Sequence, residues 1–384
     1  MVTEKQLSGI LNYQPANIPI TTLYLSFDEE AKKTNQHKIV LKDLFRYKTE
    51  KTYFNNLSES AQESVKRDFE KIQDYISMEY DQDGSGSRSV AIFSCAAEDL
   101  WETQKYDMPM ETSMVINPHP YLRPFVEAAS EYRNYAIILV DRAKARILEV
   151  KLGKVIERLH VLEEDMPDQV KEGDFGGTSE RRIERHINEH VHRHLKQVAE
   201  KALELHQQHD YKWIYVGGRQ EIINEFEGML HSYLKERIEG HLVVEPHAPM
   251  EEVLKKANEA AESTRSDYET KLLDRLSDEI GSGQRGISGI PGTLNAQQRG
   301  QIETLIVQDN FSTKGWYCPE CNHLSVKEQT CPLDGSELRR TPDLIDNLIF
   351  NVLKQGASIE MIAGDMGHLD NVGAILRYPI QKTG

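Results

Sequence analysis

The chain has 384 residues, 39% hydrophobic and 28% charged, with a formal net charge of −16. That length exceeds one ordinary core and implies two or three domains. The negative charge opposes long-range attraction to nucleic acid, so contact with RNA would need local basic patches or a partner. No apolar run approaches membrane-spanning length; the longest clear one is Tyr135–Val140. The start, MVTEKQLSGILNY, lacks the basic-then-apolar pattern of a secretory leader, and three of the four cysteines crowd into Cys318–Cys331. The expectation is a cytoplasmic, reducing setting with a metal knuckle instead of a disulfide framework, and no membrane partner.

Thr21–Phe27 and Ser89–Ser94 read as strands. Between them Val65, Phe69, Ile72 and Ile76 give Glu59–Glu79 one apolar helical face, and Asp81–Ser87 reads as a loop. Lys32–Lys51 is rich in Lys and Arg, which is most simply a solvated face. A second unit starts near Arg133, with strands predicted at Tyr135–Val140, Ala145–Val150 and Val155–Val161. A glycine tip and helix follow, then strand Trp213–Val216 ending in Gly217-Gly218, helix Glu221–Arg237 and strand Leu242–Val244. This β–α–β–α–β order implies an α/β layer on a mixed or parallel sheet. The third unit opens with the charged helix Met250–Ile280 and a mobile loop, Gly281–Gly292. Strand Thr304–Val307, the cysteine segment, helix Asp343–Gln355 and strand Gly373–Tyr378 complete it. The expected fold is α/β and α+β in three domains: 1–132, 133–247 carrying the glycine tip, and an α/β domain at 248–384 with a zinc-ribbon-like insertion at 316–338.

Residues 173–195, GDFGGTSERRIERHINEHVHRHL, are the most informative stretch. Glycine takes positive φ freely, so Gly176-Gly177 can shape a tip closed to other residue pairs. Behind it Ile183, Ile187, Val191, Leu195 and Val198 recur at helical spacing, while Arg181, Arg182, Arg185, Arg193 and Lys196 occupy the other faces. A glycine tip on a basic helix suits a probe entering a phosphate-lined cavity; a surface turn with a solvated helix face is the plainer alternative. His186, His190 and His194 lie four apart with His192 nearby, but no HExxH or committed carboxylate accompanies them. Polar histidines on an exposed or RNA-facing helix are expected, in preference to a metal site.

Cys318-Pro-Glu-Cys321 and Cys331-Pro-Leu-Asp334-Gly335 are two knuckles, the second with Asp in the last ligand place. Three thiolates and a carboxylate can hold a structural, tetrahedral zinc; His323 is a rival fourth ligand, and a metal-free ribbon held by packing is the alternative. Gly281–Gly286 matches GxGxxG formally but follows a helix, with Pro291 expected to interrupt any helix after it, so a dinucleotide site is not expected. No P-loop, nucleophile elbow or HExxH occurs elsewhere.

Taken in order, these pieces resemble the archaeal and eukaryotic class-1 peptide-chain release factor and Pelota superfamily, particularly its divergent bacterial members. The middle unit carries YAIILVDRAKARI, the tip and basic helix, and WIYVGGRQEIINEF; the last carries TLNAQQRGQIETLIV, the ribbon-like insertion and DNVGAILRYPI. The resemblance implies a tRNA-mimicking factor that enters the ribosomal A site against rRNA, with a translational GTPase of the elongation factor Tu type as a partner. In release factors the tip reads Gly-Gly-Gln, and its glutamine helps place water at the ester joining peptide and tRNA. Here Thr178 stands in that place, shorter, β-branched and with a hydroxyl instead of an amide. The Asn-Ile-Lys-Ser and Tyr-x-Cys-x-x-x-Phe patterns for stop codons are also missing. The expected role is rescue, quality control or hibernation by occupancy, without stop-codon reading. The alternatives are a release factor that still hydrolyses peptidyl-tRNA through amides near Gly176–Thr178, and a non-ribosomal interaction protein.

Overall fold

The computed structural model describes residues 7–379 apart from 12, 14–17, 28–35, 51, 81–86, 152–153, 160–177 and 328–329, and gives only the backbone of 178–184. The protein is a mixed α/β structure with several sheets. It forms two compact units, one of Met1–Glu131 with Glu269–Gly384 and the other of Tyr132–Tyr268.

The N-terminal segment contributes strand β1 (Ile20–Ser26), helices α1 (Gln36–Thr49) and α2 (Glu59–Tyr75), strands β2 (Ser89–Cys95), β3 (Leu100–Tyr106) and β4 (Ser113–Asn117), and helix α3 (Arg123–Glu131). The sheet runs β3-β2-β1-β4, antiparallel throughout. Ser58 caps α2, its hydroxyl accepting from the Ala61 amide. The helix is α-helical to Tyr75 and widens into a π turn at Ile76–Tyr80, a departure from the single helix expected there; Ile76 stays buried. Asp68 ties α2 to the sheet, accepting from Thr21 Oγ1 at 2.8 Å, Ser94 Oγ at 2.7 Å and the Ala96 amide at 2.7 Å. Of the Lys- and Arg-rich stretch, Gln36–Thr49 forms α1, with Leu41 in the core and Lys42 and Arg46 exposed.

The central unit contains strands β5 (Tyr135–Val140), β6 (Ala145–Lys151) and β7 (Lys154–Leu159), helix α4 (Thr178–His209), strand β8 (Trp213–Gly218), helix α5 (Gln220–Met229), strand β9 (Ile238–Leu242) and the start of helix α6 (Met250–Gly281). Its sheet, β7-β6-β5-β8-β9, is mixed: β5, β8 and β9 are parallel, and the β5-β6-β7 side is antiparallel. Both faces are covered, which explains the unbroken apolar run of β5. Ala136, Ile138 and Val140 pack with Leu195 and Val198 of α4 and Phe226 of α5. Tyr135, Ile137 and Leu139 pack with Val253 and Ala257 of α6. Gly217-Gly218 is a packing requirement: Gly218 has φ of 145°, and a Cβ there would lie 2.2 Å from the Val140 carbonyl oxygen.

The expected helix Glu221–Arg237 is two pieces, because Leu230 and His231 are extended and break it before a short turn at Ser232–Lys235. The chain therefore reverses early, and the last strand lies at Ile238–Leu242 instead of Leu242–Val244.

The C-terminal segment adds strand β10 (Gly286–Ser288), helix α7 (Ile290–Gln298), strands β11 (Ile302–Gln308), β12 (Gly315–Tyr317), β13 (Leu324–Ser325) and β14 (Arg339–Thr341), helix α8 (Leu344–Lys354), and strands β15 (Ser358–Ile362) and β16 (Val372–Leu376). The main sheet is β10-β16-β11-β15, and β13-β12-β14 forms a small separate one. The glycine-rich stretch expected as a mobile loop holds β10 and the first turn of α7. Pro291 does not interrupt that helix; it lies in the first turn, where a missing N–H has no partner to lose. Residues 344–353 of α8 are all buried, including Asp346, Asn347 and Asn351. Asp346 and Asn347, with Asp343 just ahead of the helix, join the first and last segments into one unit. The Leu122 amide and Asn117 Nδ2 each donate to Asp346 at 3.3 Å, and Arg123 Nη1 donates to Asp343 Oδ2 at 2.9 Å. No helix among the described residues is long and apolar enough to cross a membrane.

Candidate functional site

Two features carry the chemistry anticipated from sequence. The first is α4, which opens at Thr178; Gly176 and Gly177 lie outside the described residues, as do the side chains of Thr178, Arg181, Arg182 and Ile183. Val191, Leu195 and Val198 are buried against the sheet and Ile187 is partly buried, as the apolar spacing required. Arg185, Arg193 and Lys196 are exposed on the remaining surface.

The histidines separate. His194 is fully buried, contrary to the expectation of a polar, exposed row, because its position falls beside Leu195 on the stripe that packs on the sheet. His186 and His190 remain outward. Arg193 Nη2 donates to His190 Nδ1 at 2.6 Å, which leaves His190 Nε2–H to donate to His186 Nε2 at 3.3 Å. Among the described residues no third ligating group joins this pair, so the histidines do not assemble a ligand set.

The second feature is the knuckle. The Asn322 amide donates to the Cys318 carbonyl at 3.0 Å, and the Gly335 amide to the Cys331 carbonyl at 3.0 Å. The residue after the last ligand position is left-handed in both turns, Asn322 at φ 59° and Gly335 at φ 77°. Asp334 thus occupies the place in the second turn that Cys321 occupies in the first. One ligand atom from each of Cys318, Cys321, Cys331 and Asp334 lies within 4.8 Å of the other three. The Cys321 and Cys331 sulfurs are 3.4 Å apart, and Cys318 Sγ is 3.3 Å from Asp334 Oδ2.

Tetrahedral zinc with Zn–S of about 2.3 Å needs ligand separations of roughly 3.5–3.8 Å, so the cluster fits the ion. The Ser336 amide, donating at 2.9 Å, holds the Asp334 carboxyl well below the usual carboxylate range. Cys321 is exposed, but local desolvation within the cluster and its hydrogen bond to Asp334 push the thiol up, so an ion would have to displace its proton. His323 contributes its carbonyl to the Cys318 amide at 2.8 Å and is not in the ligand group; Asp334 completes it. Four protein ligands leave no open position, which suits a structural ion.

Sequence reasoning did not single out the polar residues of α8 or His119. Their signal was faint: Asp346, Asn347 and Asn351 stand in LIDNLIFNVL, a helix apolar on every side.

Comparison with known proteins finds similarity to peptide chain release factors. Residues 120–262 match the family model described as bacterial archaeo-eukaryotic release factor family 10. Over that segment the chain is similar to the bacterial archaeo-eukaryotic release factor family, and it is distantly related to archaeal release factor 1. It is 28% identical over 321 residues to peptide chain release factor subunit 1 of Methanocaldococcus jannaschii, covering 71% of this chain and 75% of that one. Against the Methanopyrus kandleri protein of the same name it is 30% identical over 215 residues, covering 54% and 51%. Among solved structures, the archaeal Pelota of a ribosome-bound Pelota and ABCE1 model is 13% identical, with 76% and 78% coverage and a TM-score of 0.42.

Proposed function

We propose that this protein enters the ribosomal A site and acts by occupancy, in rescue, quality control or hibernation, without reading a stop codon. Thr178 carries the reading: it opens α4 where release factors have the tip's glutamine. Its short, branched side chain lacks the reach and amide pattern for holding water at the ester. The exposed Arg185, Arg193 and Lys196, with Arg181 and Arg182 ahead of them, serve as the rRNA contacts in this proposal. The same proposal keeps three functional parts at 1–132, 133–247 and 248–384, delivery by a translational GTPase of the elongation factor Tu type, and a structural zinc in the knuckle.

The test is ribosome co-sedimentation over a salt series, combined with a release assay on ribosomes loaded with peptidyl-tRNA. The unmodified protein should pellet with ribosomes and release no peptide. Changing Arg181, Arg182 and Arg185 together to Glu should weaken pelleting and flatten its salt dependence. Robust release abolished by Gly177→Ala would promote the hydrolase reading. Absence of pelleting in all ribosomal states would favour the non-ribosomal one.

A further inference from the structure

Beneath the first knuckle, within the unit formed by the N- and C-terminal segments, lies a cavity of about 150 Å³. Its floor is made by Tyr317, Pro19 and the stacked pair His119 and Phe350, whose rings lie 4.7 Å apart at 15°. All four are buried. The Asn347 amide donates to His119 Nε2 at 2.7 Å, which leaves the Nδ1–H for the Pro120 carbonyl oxygen at 3.1 Å. The imidazole therefore presents an uncharged ring face. The rim has the opposite character: Arg339, Lys354, Glu320 and Asn322 are exposed.

This volume suits a single ring system, since an apolar cavity of roughly 150 Å³ takes up benzene, whereas drug-sized ligands need roughly 300 Å³ or more. The rest of such a ligand must lie at the rim, beside two cations in an otherwise acidic protein. Planar bases stack on aromatic side chains irrespective of sequence, and Arg and Lys hold the attached phosphate.

We propose that this cavity binds one nucleobase on its Tyr317, His119 and Phe350 floor, with the attached phosphate held by Arg339 and Lys354. Asn322 and Glu320 then offer hydrogen-bonding groups to the edge of the base. Arg340, the next residue along β14, belongs to a different surface: its guanidinium sits 5.6 Å over the Trp316 ring. Adjacent strand residues point to opposite faces, which makes Arg340 an internal control. The site lies outside the central unit and stands whether or not α4 contacts rRNA.

The experiment titrates the full chain with uridine 5′-monophosphate, with uridine, and with a short oligouridylate, followed by NMR line shifts. Uridine 5′-monophosphate should bind saturably and at least tenfold more tightly than uridine. Arg339→Glu with Lys354→Glu should weaken it at least tenfold, and Lys354→Gln alone should weaken it measurably. Arg340→Glu should leave it within twofold, with circular dichroism unchanged in every variant. Saturation by the free nucleotide assigns the site to a mononucleotide. Saturation by the oligonucleotide alone, with the same dependence on Arg339 and Lys354, assigns it to an unstacked base of RNA. No saturable binding of either, or binding indifferent to Arg339 and Lys354, overturns the proposal.

Discussion

Asn347 Nδ2 donates to His119 Nε2 at 2.7 Å, joining residues 228 positions apart in the sequence. Around this bond the buried Asp346 accepts from Leu122 and Asn117, and Arg123 reaches Asp343. Buried polar groups cost stability unless paired, so this junction gains from formation as a complete set. It ties the start of α3 and the first turn of α8 to the end of β4.

The junction predicts a pH response. Burial lowers His119 from an ordinary 6.5 to about 4, so the unfolded chain takes up a proton in that window while the native chain does not. Stability is full above pH 6.5 and falls as pH drops toward 4, by about 3 kcal/mol from this group. Asp346 acts with the opposite sign: burial, with Asp343 nearby, raises its pKa well above the usual carboxylate range. Its contribution is complete below the unfolded carboxylate pKa and is lost as pH rises through the folded value. In chemical denaturation across pH, His119→Gln should remove much of the acid-side loss and Asp346→Asn much of the alkaline-side loss. Curves that merely shift in parallel would refute this assignment.

The knuckle predicts close to one zinc per chain in protein prepared without chelator. Cys331→Ser should remove the ion and expose the 316–338 segment to proteolysis, because binding at such a site contributes directly to folding. Asp334→Cys completes a four-thiolate set in the same turn and should retain the ion. Elemental analysis finding no metal in unmodified protein would support a ribbon held by packing.

Gly218→Ala should destabilise the central unit by about 2–4 kcal/mol, combining backbone strain with overpacking. The backbone is at φ 145°, and the new methyl would lie 2.2 Å from the Val140 carbonyl oxygen, a group unable to rotate away. Gly228, where an added Cβ meets nothing within 4 Å, supplies the contrast. Gly228→Ala should be neutral or slightly stabilising in α5 when thermal unfolding is measured.

Thr178→Gln is the informative change at the tip. In the proposed reading it restores the release-factor residue at the start of α4, and it should confer slow peptide release where the unmodified protein is expected to show none. The gain should stay well below a native release factor, since a 1 Å misplacement of the reacting water costs about 100-fold. Equal release by both proteins would remove Thr178 from the explanation.

The sequence by itself determined features whose cause is local. Spacing alone placed Val191, Leu195 and Val198 on the buried stripe of α4, and the apolar run Tyr135–Val140 marked a strand. The two knuckles were legible because each is a single turn: a first cysteine, a second ligand three residues on, and a left-handed residue after it. Only the tertiary structure decided features whose cause is distant. His194 and His190 have the same chemistry and neighbouring places in one periodic row, yet one is buried and the other binds Arg193 at the surface. Gly281–Gly292 had a loop's composition, but pairing with β16 made part of it a strand. The base-sized cavity needed Tyr317, His119 and Phe350 together from separate segments. Desolvation and strand pairing depend on what arrives from elsewhere in the chain, and local periodicity carries no record of that arrival.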